Sequence, residues 1–279
     1  MKLVKTAKEM QGMANQSRKN GEIICLVPTM GALHDGHVGL ITEAKKRADV
    51  TVVSIFINPT QFGRNEDLNN YPMNLDTDLA KIDDLRVDVV FNPDIGEIYP
   101  ESFQTYVVVE ELQGFLCGIF RPGHFRGVAT VVLKLFNIVK PHIALFGEKD
   151  YQQLKIIQRM VNDLNLEVEI VGFPTVRDEN GLALSSRNAY LSAEERIRAA
   201  SISRALCEIK KVFDTGIRRA NTIIEAGEKK LKDVGIENID YLEICDPETL
   251  RPKELAEDGD LVAVAVRLGA ARLIDNTLL

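Results

Sequence analysis

Tryptophan is missing from the chain, aromatic residues make up only 6% of it, and histidine occurs four times. So few aromatics leave no obvious anchor for a protein interface. The four cysteines, Cys25, Cys117, Cys207 and Cys245, are far apart, and none stands in a C-x-x-C pair. Reduced, mostly buried thiols are expected. No apolar run reaches the ~20 residues that cross a bilayer. The opening "MKLVKTAKEMQGMANQ" is interrupted by charge too often for a signal peptide. An excess of positive charge is absent too, since the formal net charge is −7. That argues against sequence-independent binding to nucleic acid and leaves room for a local basic pocket. No nucleic-acid partner and no membrane association are expected, and the cytoplasm is the expected compartment. The G-x-x-x-x-G-K-[ST] phosphate loop, a G-x-G-x-x-G fingerprint at the first strand and a G-x-S-x-G elbow are all missing.

What is present is a chain of 279 residues, 45% hydrophobic, enough for one large domain or two smaller ones. Its first two thirds alternate β-rich runs with helical stretches. "EIICLVPT" (22–29), "VTVVSIFIN" (50–58), "VDVVFNP" (87–93), "HIALFGEKD" (142–150) and "EVEIVGFPTV" (167–176) predict strands or strand ends. "GHVGLITEAKKRA" (36–48), "LDTDLAKIDDLR" (75–86), "VATVVLKLFNIV" (128–139) and "YQQLKIIQRMVNDL" (151–164) predict the helices between them. This order implies an α/β fold with a doubly wound parallel sheet. The pattern then shifts. Residues 192–216 read as one long helix opened by Ser192, and residues 218–235 as a second helix. "IDYLEICD", "LVAVAVRLG" and "ARLIDN" read as short strands. The expectation is a first domain over residues 1–175 and a smaller α+β domain over 176–279.

Ligands of open parallel sheets bind beyond the carboxyl ends of the strands. The segments after four predicted strands are "PTMGALHDGH", "NPTQFG", "GEKDYQQ" and "RDENGLALSSRN". Each carries groups suited to phosphate, carboxylate or amide. In the first, Gly31 allows a ligand close to the backbone, and Gly36 opens a helix whose free amides favour anions. His34 and His37 share a face of that first turn. They read as phosphate donors, as surface histidines of a turn, or as two zinc ligands lacking the third and fourth that zinc needs. Lys149 suits a phosphate, and Asp150 suits a hydroxyl, a magnesium ion or a helix cap. Ser185, Ser186 and Arg187 suit phosphate oxygens or a capped turn. Asn58 and Gln61 suit a substrate with hydroxyl and carboxylate groups, or a polar turn. "FRPGHFRG" clusters Arg121, His124 and Arg126, either to capture an anion or as a solvated loop.

Taken together, these segments resemble a known family. "LHDGH" resembles the HxGH signature of a nucleotidyltransferase superfamily that includes class I aminoacyl-tRNA synthetases. "PTMGALHDGH", "NPTQFG" with "NEDLNNYP", "RPGHFRGVATVV", "FGEKDYQQL" and "LALSSRN" resemble, in the same order, the pantothenate synthetase family, which are pantoate–β-alanine ligases. The resemblance implies a Rossmann-like first domain and a smaller C-terminal domain acting as a lid. It implies ATP-dependent condensation of pantoate with β-alanine through a pantoyl-adenylate, with magnesium, releasing AMP and diphosphate. It also implies a homodimer.

By position, the resemblance implies that Met30, Gly31, Ala32, Leu33, His34, Asp35, Gly36 and His37 bind ATP, with His37 as proton donor. It implies the same for Gly147, Glu148, Lys149 and Asp150, for Val176 at the adenine, and for Leu184, Ser185, Ser186 and Arg187. Gln61 is implied for pantoate and β-alanine, and Gln153 for pantoate, with Asn58 beside them. His34, His37, Lys149, Ser185 and Arg187 are the expected catalytic groups, and "ENGLALSSRN" is the candidate lid segment. The protein ligands of magnesium are not implied. Three positions depart from the family pattern: Leu184 where methionine is common, Arg64 where proline follows "QFG", and Met73 where arginine follows "YP". The rival readings are an adenylyltransferase of the same superfamily acting on another small acceptor, and a non-catalytic nucleotide-binding module.

Overall fold

The computed structural model describes residues 1–64 and 66–279. Asn65, the first residue of "NEDLNNYP", lies outside the described residues. The strands are β1 (Lys2–Val4), β2 (Ile24–Thr29), β3 (Val50–Ile55), β4 (Val89–Phe91), β5 (Ile143–Gly147), β6 (Glu169–Phe173), β7 (Ile239–Cys245), β8 (Leu261–Leu268) and β9 (Ala271–Leu278). The helices are α1 (Ala7–Lys19), α2 (Asp35–Arg47), α3 (Leu75–Asp83), α4 (Ile95–Ile98), α5 (Cys117–Phe120), α6 (His124–Val139), α7 (Tyr151–Asp163), α8 (Ala193–Ala199), α9 (Ser201–Asp214) and α10 (Ala220–Lys232).

Two compact units emerge. The first comprises Met1–Glu110, Arg121–Glu148 and Gln153–Pro174. It holds a six-stranded sheet of order β1-β4-β3-β2-β5-β6, with every pairing parallel. This is the α/β, doubly wound architecture expected. The near-continuous apolar strands follow from burial on both faces. Ile24, Leu26, Val52, Val89, Phe91, Ala144 and Phe146 point into a core shared with α1, α6 and α7. Their alternates Cys25, Val27, Val53, Val90 and Leu145 point into a second core, shared with α2 and α3. The strand order reverses between β2 and β5, which makes the crevice beyond their carboxyl ends the natural ligand position.

The second unit comprises Glu111–Phe120, Lys149–Gln152 and Thr175–Leu279. Its antiparallel sheet β7-β8-β9 presents Leu242, Ile244, Val262, Val264 and Val266 to Ile202, Leu206, Ile209 and Phe213 of α9 and to Ile223 and Leu231 of α10. The Glu111–Phe120 segment joins this unit through Cys117, whose Sγ lies 3.2 Å from the Tyr241 hydroxyl and 3.2 Å from Arg272 Nη1.

The helix expected over 192–216 is interrupted. Ser192 and Glu195 form the capping box that starts α8, but Ala200 ends it and α9 begins one residue later. At that junction the Ser203 hydroxyl donates to the Ala200 carbonyl at 3.0 Å. The first twenty residues, to which the sequence pattern assigns nothing, form β1 and α1, and α1 is capped by Thr6 Oγ1 accepting from Glu9 N at 3.3 Å. All four cysteines are free, with Cys207 exposed and the others buried. Burial pushes the Cys25 and Cys245 thiols up to about 12, so neither supplies a thiolate near neutral pH.

Candidate active site

β2 ends at Thr29, whose hydroxyl donates to the Ser54 carbonyl at 2.8 Å and accepts from Gly31 N at 3.2 Å. The chain then turns through two positive φ angles, 82° at Gly31 and 51° at Ala32. Gly31 must be glycine for a second reason: a Cβ there would meet Asp78 Oδ2 at 2.9 Å. The turn aims two amides at that carboxylate. Asp78, 4% exposed on α3, accepts from Ala32 N at 2.9 Å and from Leu33 N at 2.7 Å. The sequence reading missed Asp78. Its signal was a charged residue on the stripe that also holds Ile82, a position where an acid is buried only when paired.

α2 starts immediately afterwards, with an unusual cap. His34 Nδ1 accepts from Gly36 N at 3.2 Å, and His37 Nδ1 accepts from His34 N at 3.2 Å, a reciprocal capping box made of two imidazoles. Their ring centroids are 4.1 Å apart. A ring nitrogen that accepts an N–H carries no proton, so each neutral ring carries its proton on Nε2. Both rings thus stand at the carboxyl end of β2 with Nε2–H as the protonated nitrogen, beside the first amides of α2. The zinc reading fares less well. Both Nδ1 atoms are committed to the cap, and among the described residues no group of three or more potential metal-binding side chains stands together. Asp35 is exposed, 3.9 Å from Lys81 Nζ.

β3 leads into Asn58 and Gln61. Asn58 is 1% exposed, and both ends of its amide are engaged. Oδ1 accepts from the Tyr99 and Thr60 hydroxyls, each at 2.8 Å, and Nδ2 donates to Gln61 Oε1 at 3.0 Å and Gly127 O at 3.1 Å. In this structure Asn58 supports Gln61. Gln61 Nε2 points to Met30 Sδ at 3.1 Å, so Gln61 and the post-β2 turn meet. The start of α6 comes so close that a Cβ on Gly127 would lie 2.4 Å from Thr60 O.

His124 and Arg121 form neither a solvated loop nor a bare cationic cluster. The Arg121 side chain is 13% exposed and reaches Glu66 twice, Nε to Oε1 at 2.8 Å and Nη2 to Oε2 at 2.6 Å. Its Nη1 lies 3.0 Å from His124 Nε2, and His124 Nδ1 lies 2.8 Å from Gln61 O. Guanidinium only donates, so Nε2 accepts and Nδ1–H donates to the Gln61 carbonyl. Burial by itself raises the Glu66 carboxyl, but its bonds and charge contact with Arg121 outweigh that and hold it below the ordinary carboxylate range. Gly147 ends β5 opposite Phe173, Glu148 follows it, and Gln153 is half-buried on α7.

The second unit carries the remaining expected residues. Lys149 is largely buried, with its carbonyl accepting from Asn276 Nδ2 at 2.9 Å and its ammonium 3.9 Å from the exposed Asp150. Residues 176–184 form a tight hairpin in which Leu184 N donates to Val176 O at 2.9 Å. Arg177 anchors it through a bidentate pair with the buried Asp275, at 2.5 and 2.9 Å. Ser185 Oγ accepts from Arg187 N at 3.3 Å and caps the turn Ser186–Tyr190.

Comparison with known proteins decides among the readings. A family model described as pantoate-beta-alanine ligase matches residues 2–278. The chain belongs to that family. The pantothenate synthetase of Syntrophus aciditrophicus (strain SB) is 50% identical over 276 residues, covering 99% of this chain and 96% of the relative. That of Thermosipho africanus (strain TCF52B) is 50% identical over the full length of both. Among solved structures, the pantothenate synthetase of Thermus thermophilus superposes with a TM-score of 0.94 at 46% identity, covering 99% of each chain. The Francisella tularensis pantoate-beta-alanine ligase, complexed with beta-gamma ATP and beta-alanine, superposes with a TM-score of 0.82 at 35% identity, over 100% of this chain and 97% of that one. Within the ligase family, the post-β2 turn, the imidazole cap and the Gln61 network together are the first unit's candidate site.

Proposed function

We propose that the protein is an ATP-dependent ligase that condenses pantoate with β-alanine, passing through a pantoyl-adenylate and releasing AMP and diphosphate. The observation that carries the chemical reading is the double imidazole cap, which leaves Nε2–H as each ring's donor at a helix N-terminus, where anions are favoured. His34 and His37 donate to ATP's phosphates, with His37 as the proton donor, and the segment from Met30 to Gly36 lies along the nucleotide. Gly147, Glu148, Lys149 and Asp150 serve the same ATP, as do Leu184, Ser185, Ser186 and Arg187. Val176, its carbonyl engaged by Leu184, meets adenine through its N–H.

Attack of the pantoate carboxylate on the α-phosphate builds negative charge on that phosphate and on the departing diphosphate. Fixed donors stabilise it without reorganising at the moment of reaction. Pantoate needs no general base, since its carboxylate is ionised at neutral pH. Gln61, its carbonyl held by His124 and its amide by Asn58 and Met30, presents a preset side chain to pantoate and then to β-alanine. Gln153 is the second pantoate ligand. The amine of β-alanine attacks the acyl carbon as the neutral base and displaces AMP. Holding the mixed anhydride away from water protects it from hydrolysis.

Magnesium, bound with ATP, would supply positive charge that offsets the charge of the phosphates. Asp35 and Asp150 are the exposed carboxylates within the proposed ATP segments. The protein acts as a homodimer in the cytoplasm. No helix among the described residues is long and apolar enough to cross a membrane.

The deciding experiment is isotope exchange between diphosphate and ATP, with and without pantoate, followed by β-alanine. Exchange that depends on pantoate, then stoichiometric AMP and pantothenate, is expected. A product that retains the AMP would make the protein an adenylyltransferase instead.

A further inference from the structure

Asn188 closes the "LALSSRN" run and is 6% exposed. Its backbone N–H donates to Ser185 O at 2.9 Å, and its Nδ2 donates to Ala183 O at 3.1 Å. The second bond sets the amide's orientation, because a flipped amide would face the Ala183 oxygen with another oxygen. Oδ1 is then the remaining end, buried, and among the described residues nothing donates to it. A buried acceptor left empty is unfavourable, and such an atom calls for a reason.

Asn188 lines a small pocket together with Lys149, Ser185 and Asp275, within a wall that is otherwise apolar. Asp275 is already engaged, accepting from Arg177 Nη1 and Nη2 and from Asn276 N. The Lys149 ammonium, with three protons to donate, lies 3.9 Å from Asp150 Oδ2, a loose contact with a half-exposed carboxylate. One pocket is thus lined by a residue whose buried acceptor takes no donor among the described residues and by a lysine whose ammonium makes one loose contact.

We propose that Asn188 is a positioning residue for Lys149: in the nucleotide complex its Oδ1 accepts one proton of the Lys149 ammonium and so sets the direction of that charge. An amide suits this role better than a carboxylate. It orients the ammonium without neutralising the charge that phosphate needs. Because Asn188 N is tied to Ser185 O and Ser185 Oγ to Arg187 N, one turn carries the hydroxyl, the guanidinium and this acceptor together. The inference rests on the reading of Lys149 as a phosphate contact.

A double-mutant cycle with Asn188→Ala and Lys149→Ala tests it, reading the ATP dissociation constant by calorimetry, pantoate-dependent exchange and the thermal midpoint. N188A is expected to weaken ATP about tenfold or more, as for a hydrogen bond to a charged group. In the K149A background it adds no further weakening, while its effect on the thermal midpoint is the same in both backgrounds. Equal weakening of ATP in both backgrounds, or none in either, overturns the inference. So does a cycle in which N188A couples to Ser185→Ala and not to K149A. If N188A does not fold, Asn188→Ser is read in the same cycle. K149A with normal ATP binding and exchange would refute the phosphate reading of Lys149 itself. An impaired K149A beside an unaffected N188A refutes only the role of Asn188.

Discussion

Asp78 on α3 accepts the Leu33 amide at 2.7 Å, so a carboxylate 45 residues further along the chain sets the turn that presents the histidine pair. Asp78→Asn keeps the volume but can offer only one acceptor atom to the two amides. It is expected to cost about 1–3 kcal/mol of stability and to weaken ATP, because the turn no longer closes on itself. Chemical denaturation and ATP titration check both effects. A variant as stable and as tight as the parent would mean that the turn holds its shape unaided.

The imidazole cap separates structure from chemistry. Asparagine at position 34 is a good helix cap, and glutamine at position 37 can reach back as in an ordinary capping box. His34→Asn and His37→Gln should each stay within about 1 kcal/mol of the parent in stability. Each loses the Nε2–H, and adenylate formation should fall roughly a hundredfold or more. Rapid-quench measurement of pantoyl-adenylate gives the rate. An unchanged rate in a well-folded H34N would remove His34 from the phosphates.

Glu66 makes acid stability readable. Its carboxyl is held below the ordinary value of 4.5 in the folded protein, with burial opposing and Arg121 prevailing. Its contribution is therefore complete above about pH 4.5 and is lost as pH falls through the lower folded value. Glu66→Gln should flatten that part of the stability–pH curve and raise the KM for pantoate by loosening Arg121, His124 and Gln61 in turn. Parallel curves for parent and E66Q below pH 4.5 would contradict this.

His142 acts at higher pH. Its Nδ1 accepts from Ile24 N at 3.0 Å at the mouth of β5, and burial, then the charge of Arg18, push it below 6.5. The folded state resists a proton that the unfolded chain accepts. Stability from this source is present above about pH 6.5 and is lost as pH falls from there through the folded value. His142→Asn keeps an acceptor for Ile24 and should remove this slope. Thermal midpoints between pH 7 and 5, compared for the two proteins, provide the measurement.

Chelation should separate catalysis from folding. If magnesium arrives with ATP, excess chelator abolishes pantoate-dependent exchange and leaves the thermal midpoint of the nucleotide-free protein unchanged. A lowered midpoint would reveal a structural cation.

The parallel sheet was legible because its signals are local. Apolar runs such as "VTVVSIFIN" and the helical stripes between them need only neighbours to be read, and their order implies crossover connections. The same holds for the candidate site's main segments, which follow strand ends where ligands collect. The break at Ala200 was illegible, since no glycine or proline marks it. So was the role of Asn58, whose turn-like sequence conceals an amide with 1% exposure.

What the sequence by itself determined is the class of fold, the family and the list of groups available to phosphate and carboxylate. Tertiary structure alone decided which of those groups support others. Asp78 reaches Leu33 across 45 residues, Arg121 reaches Glu66 across 55, and Asp275 reaches Arg177 across 98. The physical reason is that strand and helix periods report which way a side chain faces, while a hydrogen bond needs two atoms within about 3 Å. That distance is set only when the sheet has closed and α3, α6 and β9 have packed.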